Sequence, residues 1–438
     1  MKKLIMGVAM AAALCSATFA LGDKKSKQTV ITVLDYEDAT APNAYDNKAL
    51  IWDAFEKAHP DIKIEREVLF NEAYHQKMAA YAASGKMPDV FYMFPGGRSS
   101  TIHEKKLAKD LTPYLKKDGI YNDYNPATLD PSAQAGGYVA ELPFGLTMSH
   151  VMFVNTKILK ECGLSIPKTY EELKAQVPVL KAKGYETVLM ANMDDWVMQS
   201  CLFSTIAGRF GGPKWTNDIL SGKKKFTDKD FTDAVKFVKT IYDDGVLSQK
   251  TLATSYGDVP GQFAAGKGAY LIDGDWRCGA FITDETTKKA LIPPAKQQSD
   301  VELIIFPEIP GERFHNTNSG TLGVGYGMSS KLKKNSKEEK AAWELIKWLS
   351  GQEVQQRRLD TGASFPSLLK GISYDKLEPI NVKRNAFYNS GATTTPVFDS
   401  AFSADVASVL NADLQALGLG KMTPEQVCAD LQKTFEAK

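Results

Sequence analysis

The sequence predicts an α/β protein, and three observations carry the prediction. The chain has 438 residues, which suits two or three units of ordinary domain size. From residue 29 onward, segments with strand patterning alternate with segments of helical spacing, as in parallel sheets covered by helices. Hydrophobic residues make up 43% and charged residues 24%, which are ordinary globular values.

The first part of the chain has the order β-α-β-α-β. The helix-like segments have apolar residues on one side, and Pro60 and Gly85 stop them. The strand-like segments are β-branched, alternating or fully apolar. In order, the predicted elements are a strand at 29–34, a helix at 48–59, a strand at 62–68, a helix at 72–83 and a strand at 90–93.

Capping patterns identify helices in the rest of the chain. A helix with one apolar face covers 231–242 and ends at Gly245. Trp343 and Trp348 lie within a later helix and are interpreted as packing residues. Three capping boxes predict helix starts, at 169–172, 336–339 and 423–426.

The N-terminus has the pattern of a secretory signal peptide over residues 1–20. Lys2 and Lys3 precede an apolar run that ends in Thr-Phe-Ala, so cleavage is expected after about Ala20. An uncleaved anchor is the alternative. Lipidation of Cys15 is disfavoured, because Leu14 stands where a small residue is usual. Residues 21–28 are polar and are predicted to form a flexible leader.

Charge and cysteine usage exclude several functions. The formal net charge is +1, so nothing favours nucleic acid or an anionic membrane as a partner. The histidines and cysteines have no metal-site spacing, and we expect neither a metal nor another cofactor. Disulfides and buried thiols both remain open for the four cysteines of the mature chain, Cys162, Cys201, Cys278 and Cys428.

The order of several longer motifs resembles one family. It is that of the extracytoplasmic solute-binding proteins of carbohydrate ABC importers, extracellular solute-binding protein family 1, which includes maltose-binding protein. The resemblance covers about residues 29–438. The motifs are WDAFEKAHPDIKIE, AASGKMPDVFYM, LPFGLTMSHVMFVNTKILKECGLSIPKTYEEL, FAAGKGAYLIDGDW, FPEIPG and KAAWELIKWLSGQEVQ.

The resemblance implies a two-lobed periplasmic-binding-protein-like fold, with a ligand cleft between lobes joined by a hinge. The N-terminal lobe would hold 29–142 and about 326–362, and the C-terminal lobe 143–325 and about 363–438. Crossings between the lobes are expected near 141–145, 322–330 and 360–366. The Gly-rich segment 316–327 is expected to pass close to the cleft or hinge.

The same resemblance implies a monomeric binding protein in the periplasm or on the extracytoplasmic face. It would capture a sugar or oligosaccharide and deliver it to the membrane permease subunits of an ABC transporter. The alternative is a secreted glycoside hydrolase, which needs two carboxyl groups flanking one bond. Two carboxylate pairs are close in sequence, Asp194 with Asp195 and Asp273 with Asp275.

The segment GDW at 274–276 is the strongest candidate for ligand contact. A core strand ends there, and ligands of open α/β sheets lie beyond the carboxyl ends of strands. Trp276 matches the family's cleft aromatic and is predicted to stack on a sugar ring. Asp275 and Arg277 would hold hydroxyl groups. The alternative is a tryptophan packed under the hinge, with Asp275 paired to Arg277.

Other predicted strand and helix ends offer similar groups. Some follow predicted strands directly, one lies at the expected first crossing, and two lie where a helix is predicted to start. Asp194 or Asp195 is alternatively a helix cap. The further candidate ligand contacts are Tyr36, Glu37, Asp38, Phe94, Phe144, Asp194 and Trp196.

Overall fold

The computed structural model describes residues 28–130 and 136–437. The predicted signal peptide and residues 21–27 of the predicted leader lie outside these residues. The strands are β1 (Thr29–Tyr36), β2 (Ile62–Leu69), β3 (Val90–Met93), β4 (Glu141–Pro143), β5 (Leu146–Met148), β6 (Val151–Asn155), β7 (Glu186–Leu189), β8 (Gly268–Asp273), β9 (Val301–Ile304), β10 (Thr317–Leu322), β11 (Gly325–Met328) and β12 (Thr393–Thr395).

Helices connect and cover these strands. In chain order they are α1 (Ala44–Asn47), α2 (Ala54–Ala58), α3 (Glu72–Ser84), α4 (Ser100–Glu104), α5 (Thr112–Lys117), α6 (Thr156–Glu161), α7 (Tyr170–Ala182), α8 (Trp196–Met198), α9 (Ser204–Gly211), α10 (Trp215–Leu220), α11 (Lys229–Asp243), α12 (Val259–Ala264), α13 (Pro294–Asp300), α14 (Lys337–Leu349), α15 (Gln352–Asp360), α16 (Pro379–Tyr388), α17 (Phe398–Ala401), α18 (Ala404–Gly418) and α19 (Pro424–Glu436). Wider π-helical turns, Lys48–Asp53 and Gln199–Phe203, join α1 to α2 and α8 to α9.

The first sheet has five strands in the order β2-β1-β3-β11-β4. β1 is parallel to β2 and β3, so the carboxyl ends of these strands meet at one edge. β11 is antiparallel to β3 and β4. Its first residue, Gly325, pairs with Met93 and Pro143, so the carboxyl ends of β3 and β4 lie at this same edge. The predicted strands are confirmed. β1 runs two residues further than predicted, so its last residue is Tyr36.

The second sheet has four strands in the order β7-β8-β6-β9. β7 and β8 are parallel, whereas β6 is antiparallel to both β8 and β9. Every residue of β8 is buried, and the apolar run at 269–272 predicts this for the middle of the strand. β8 delivers Gly274 and Trp276 to the carboxyl end of this sheet.

Each of the two sheets has its own hydrophobic core, which makes the molecule two-lobed. One core joins the five-stranded sheet to α14, and Trp343 lies in it. The other surrounds the four-stranded sheet and includes Phe398 and Phe402 of the C-terminal helices. Trp348 packs against the first core and its Nε1 donates to the Ile51 carbonyl oxygen (2.8 Å), so both tryptophans are packing residues as predicted.

The predicted capping boxes differ in how completely they form. At α19, Thr423 and Gln426 cap each other reciprocally, as predicted. At α14, the Ser336 hydroxyl accepts from the backbone N–H of Glu339 (3.1 Å), but the carboxylate of Glu339 accepts from the N–H of Asn335 instead (2.6 Å). The same one-residue offset occurs at α7. The helix starts are therefore correct, and only the partner of the acidic residue is wrong.

The chain passes between the two sheets along three adjacent segments. The Phe144 N–H donates to the Val324 carbonyl oxygen (3.1 Å), and the Gly323 N–H donates to Gly145 (2.9 Å). The third segment joins through a bond from the Leu146 N–H to the Phe365 carbonyl oxygen (2.9 Å). A small sheet of order β12-β10-β5 extends this ribbon. We call the segments 143–146, 322–325 and 361–366 the hinge ribbon.

The sequence left open whether the four cysteines of the mature chain form disulfides or are thiols. In the structure all four are free thiols. Cys201, Cys278 and Cys428 are buried, and Cys162 is partly buried. They therefore act as small packing residues in this structure.

Candidate functional site

Aromatic rings gather at the carboxyl end of the five-stranded sheet. Tyr36 ends β1 and Phe94 follows β3, and their ring centroids lie 5.1 Å apart. Phe70 and His75 surround Tyr36 at 5.2 Å and 6.3 Å. Burial raises the pKa of Tyr36 to about 12, so its phenol remains a neutral hydrogen-bond donor and acceptor. These four residues are called the Tyr36 cluster.

The two predicted carboxylates beside Tyr36 are bound within their own lobe. Glu37 pairs with Arg66, whose Nε also donates to Asp35 (2.8 Å). Asp38 accepts hydrogen bonds from the backbone N–H (2.8 Å) and hydroxyl (2.6 Å) of Thr40. The structure brings both next to Tyr36, but it gives each a protein partner.

Phe144 lies at the predicted first crossing, although its ring is only 1% exposed. The guanidinium carbon of Arg358 lies over the ring, 3.9 Å from its centroid. Tyr92 and Tyr326 cover other sides at 5.8 Å each. Phe144 is thus a buried packing residue of the first core, next to the hinge ribbon.

A second aromatic group lies at the carboxyl end of the four-stranded sheet. The indole nitrogen of Trp276 donates to the hydroxyl of Tyr256 (2.5 Å). The Trp196 ring lies 5.0 Å from Tyr256 and 6.2 Å from Trp276, measured between centroids. All three side chains are half-buried and pack against the core of their lobe. We call them the indole cluster.

Gly274 explains how Trp276 is oriented. A Cβ built on Gly274 would lie closer than 3.0 Å to three atoms of the six-membered ring of Trp276. The indole therefore lies flat on the glycine backbone, and any side chain at 274 would push it away. The glycine in GDW is a packing requirement of the tryptophan beside it.

The charged neighbours of Trp276 are buried and paired with arginine or aspartate. Arg384 Nη2 donates to the Asp275 carboxylate (2.9 Å), and both side chains are 1% exposed. Arg277 Nε donates to Asp273 (2.5 Å), and its guanidinium lies 4.0 Å from the ring centroid of Tyr256. The pairing of Asp275 with Arg277, which the sequence left open as an alternative, is wrong.

Burial and pairing act in opposite directions on the pKa values of these groups. Burial raises the pKa of Asp275, and the Arg384 guanidinium opposes it. Burial lowers the pKa of Arg277, but Asp273, Tyr256 and Cys201 together outweigh that effect, and the pKa is raised. Arg277 is therefore charged at every physiological pH and makes a cation–π contact with the ring of Tyr256.

Asp194 joins the two aromatic clusters. Its carboxylate accepts from the side-chain amide of Asn71 in the first lobe (3.1 Å) and from the backbone N–H of Tyr256 (2.8 Å). Its side chain makes no cap bond to α8, so the alternative interpretation of Asp194 as a helix cap is wrong. Asp195 makes none either.

The lobes also touch at the rim of the cleft. Arg98 reaches from the first lobe to Asp399 of α17, with Nη2 to Oδ2 at 2.7 Å. The backbone N–H of Asn43 in the first lobe also donates to the carboxylate of Asp284 in the second (2.9 Å). Because these two contacts and the bond at Asn71 all span the gap, the lobes are closed in this structure.

Several residues of this site have no signal in the local sequence. Tyr256 lies in the loop before α12, and Asn71 and Arg98 lie in the turns after β2 and β3. Arg384 lies on α16, 109 positions after its partner Asp275. Only the rule that ligand groups follow strand ends could have suggested Asn71.

No helix among the described residues is long and apolar enough to cross a membrane. Within residues 28–130 and 136–437, no three His, Cys, Asp or Glu side chains are grouped so that they could hold a metal ion.

The site and fold together define a two-lobed binding protein whose cleft lies between facing sheet ends. The family model for bacterial extracellular solute-binding proteins matches residues 43–356, so the chain belongs to that family. Its members bind solutes, and the chain is a binding protein and not an enzyme. The prediction from the motifs is thereby confirmed.

One relative and two solved structures are similar to most of the chain. The chain is 24% identical to the "Multiple sugar-binding protein" of Streptococcus mutans over 379 residues, covering 84% of this chain and 81% of the relative. A solved structure from work on xylan utilization by the thermophilic bacterium Caldanaerobius polysaccharolyticus has a TM-score of 0.82 at 24% identity, covering 92% of this chain and 99% of the other. The maltose-bound MalE3 of T. maritima has a TM-score of 0.72 at 19% identity, covering 93% and 99%.

Proposed function

We propose that this protein captures a sugar or oligosaccharide between the Tyr36 cluster and the indole cluster. It then delivers the sugar to the permease subunits of an ABC importer. The carrying observation is that half-buried aromatic groups end both sheets and are linked through Asn71 and Asp194. The sugar-binding relative from Streptococcus mutans supports the same ligand class.

The chemistry of a sugar suits these two surfaces. A pyranose ring presents an apolar C–H face, and covering about 100 Å² of it contributes roughly 2.5 kcal/mol. A hydrogen bond from a hydroxyl to a charged group adds about 1.5–3 kcal/mol. Less the cost of ordering, a few such contacts reach about 8 kcal/mol, which is micromolar affinity.

The proposed roles divide the predicted residues into two groups. Tyr36, Phe94, Trp196 and Trp276 would contact the sugar, and Asp194 would close over it. The other predicted residues are already bound by protein groups, so we propose that they hold the contacting rings in place; these are Glu37, Asp38, Phe144, Asp275 and Arg277.

We propose the lobe boundaries that the family resemblance implies. The first lobe holds 29–142 and about 326–362, and the second holds 143–325 and about 363–438. The separate cores and the hinge ribbon support this division. We further propose a monomer on the extracytoplasmic side of the membrane.

Binding of a glycan is expected to reduce the radius of gyration of the protein in solution, because closing the hinge brings the lobes together. Thermal shift over mono-, di- and oligosaccharides first selects a binding glycan, since binding raises the midpoint by mass action. Small-angle scattering with saturating glycan then shows a smaller radius of gyration than without it. Identical curves would contradict hinge closure, and chromatography of the incubated glycan checks that it is unchanged.

Export is expected to remove the first 20 or so residues and leave a mature chain starting near Leu21. The charged start and apolar run before Thr18-Phe19-Ala20 motivate this expectation. N-terminal sequencing of exported protein measures it. A mature chain that begins at a lipidated Cys15 would contradict the cleavage site.

A further inference from the structure

Arg384 is a fully buried arginine whose donors all point at two separate segments. Nε and Nη2 donate to the same carboxylate oxygen of Asp275, at 3.1 Å and 2.9 Å. Nη1 donates to the carbonyl oxygen of Gly362, at 2.8 Å. Its planar fork thus fixes Asp275 and Gly362 relative to each other, which a single point charge would not do.

The two anchored segments have different functions in the fold. Asp275 immediately precedes Trp276 of the indole cluster. Gly362 belongs to the third segment of the hinge ribbon, and Phe365 of that segment accepts from the Leu146 N–H (2.9 Å). The Arg384 guanidinium also lies 4.7 Å from the Phe365 ring centroid, and the Tyr388 ring stacks on Phe365 with 4.4 Å between centroids.

The surroundings leave little freedom for this connection. A Cβ on Gly362 would meet the backbone nitrogen of Gly279 closer than 3.0 Å, so the hinge ribbon and the turn after Trp276 are in direct backbone contact. A buried ion pair keeps its geometry strictly, because a displaced partner leaves a charge without compensation. A shift of the hinge ribbon at Gly362 is therefore expected to act on the Asp275–Trp276 turn through Arg384.

We infer that Arg384 is a positioning residue that couples the hinge ribbon to Trp276, so that the indole takes its sugar-stacking position as the hinge closes. The inference rests on the proposed function, in which Trp276 contacts the sugar. Nothing in the local sequence near Trp276 supplies this link, since the arginine comes from α16. The coupling makes glycan affinity depend on a residue that does not touch the glycan.

The test uses the double variant Asp275→Asn/Arg384→Met, which removes both charges together and leaves neither unpaired. Arg209→Met/Glu312→Gln is the matched control, because Arg209 is also fully buried, pairs with Glu312 (3.3 Å) and donates to backbone carbonyls. Binding of maltotriose, chitotriose or xylotriose, whichever gives saturable heat with the unmodified protein, is measured by calorimetry. The fluorine resonance of 5-fluorotryptophan at 276 is recorded without glycan, after assignment with Trp276→Phe.

We expect the double variant to bind the chosen trisaccharide at least about tenfold more weakly, with a shifted or broadened resonance at 276. The control variant should bind the trisaccharide within twofold of the unmodified affinity. Its resonance at 276 should keep the same shift and line shape, even if its unfolding midpoint falls. Unchanged affinity and resonance in the Asp275/Arg384 variant would overturn the coupling. Weaker binding with an unchanged resonance would also overturn it, because the indole would then not be the part displaced.

A conservative variant keeps the test decisive if the double variant does not fold. Arg384→Lys retains the charge facing Asp275 but loses the fork that also reaches Gly362. A shifted resonance at 276 and weaker trisaccharide binding in this variant support the positioning role. If both the resonance and the affinity equal those of the unmodified protein, the positioning role is overturned. If Trp276→Ala binds normally, the proposed contact fails, while the glycan-free resonance still decides whether Arg384 positions the ring.

Discussion

Replacing Trp276 with alanine is expected to weaken glycan binding by about 30- to 1000-fold, or roughly 2–4 kcal/mol. The half-buried indole lies flat on Gly274 and packs beside Trp196, and its nitrogen donates to Tyr256 (2.5 Å). Its loss removes one of the two indole surfaces that the second lobe offers to a sugar ring. Calorimetric titration with a glycan selected by thermal shift measures the change.

Trp348→Ala is the matched control for this substitution. Trp348 is also a half-buried indole with a donor bond, to the Ile51 carbonyl oxygen (2.8 Å), but it lies on α14 away from the cleft. We expect it to lower the free energy of unfolding by about 3–5 kcal/mol with little change in affinity. If Trp276→Ala instead melts far earlier and binds normally, Trp276 packs under the hinge and does not contact the sugar.

Local sequence patterns were sufficient for the parts of the fold that depend on local interactions. The apolar stretch at 269–272 forms the middle of β8, and a helix begins at each predicted capping box. These features follow from backbone hydrogen bonds and burial within a few residues. The order of motifs supplied the two-lobed arrangement, which no local pattern specifies.

Ion-pair partners could not be predicted, because a charged residue pairs with whatever the fold brings near. Sequence spacing suggested Arg277 as the partner of Asp275, since the two residues are only two positions apart. In the structure Arg277 instead pairs with Asp273, at the spacing of one helical turn, and Asp275 meets Arg384. A buried carboxylate needs charged or hydrogen-bonding partners to offset its loss of hydration. Arg384, on the distant helix α16, provides two donors to Asp275.

Only part of the cleft could be predicted from the sequence. The rule that ligands lie beyond strand ends correctly singled out the segments after β1, β3 and β8 as places where aromatic residues collect. It could not identify Tyr256, because that residue reaches Trp276 and Trp196 from a loop. Nor could it show that Asn71 and Asp194 bond across the gap, since that contact exists only when the lobes are closed.

The turn at 96–99 offers a substitution that acts on closure and leaves each lobe intact. Gly97 lies in the first lobe, and a Cβ on it would approach the carbonyl oxygen of Phe402 in the second lobe closer than 3.0 Å. Its backbone is not in the left-handed region, so alanine causes no strain within its own lobe. Relieving the overlap would hold the lobes apart at the rim where Arg98 pairs with Asp399.

Gly97→Ala is therefore expected to weaken glycan binding by about 5- to 150-fold, because overpacking costs about 1–3 kcal/mol and opposes only the closed state. The radius of gyration at saturating glycan should be larger than that of the unmodified protein, while the unfolding midpoint without glycan stays close to it. Gly261→Ala is the control, since a Cβ there meets nothing within 4 Å, and it should change neither quantity. Normal affinity and normal compaction in Gly97→Ala would show that sugar capture does not need the lobes to meet at this rim.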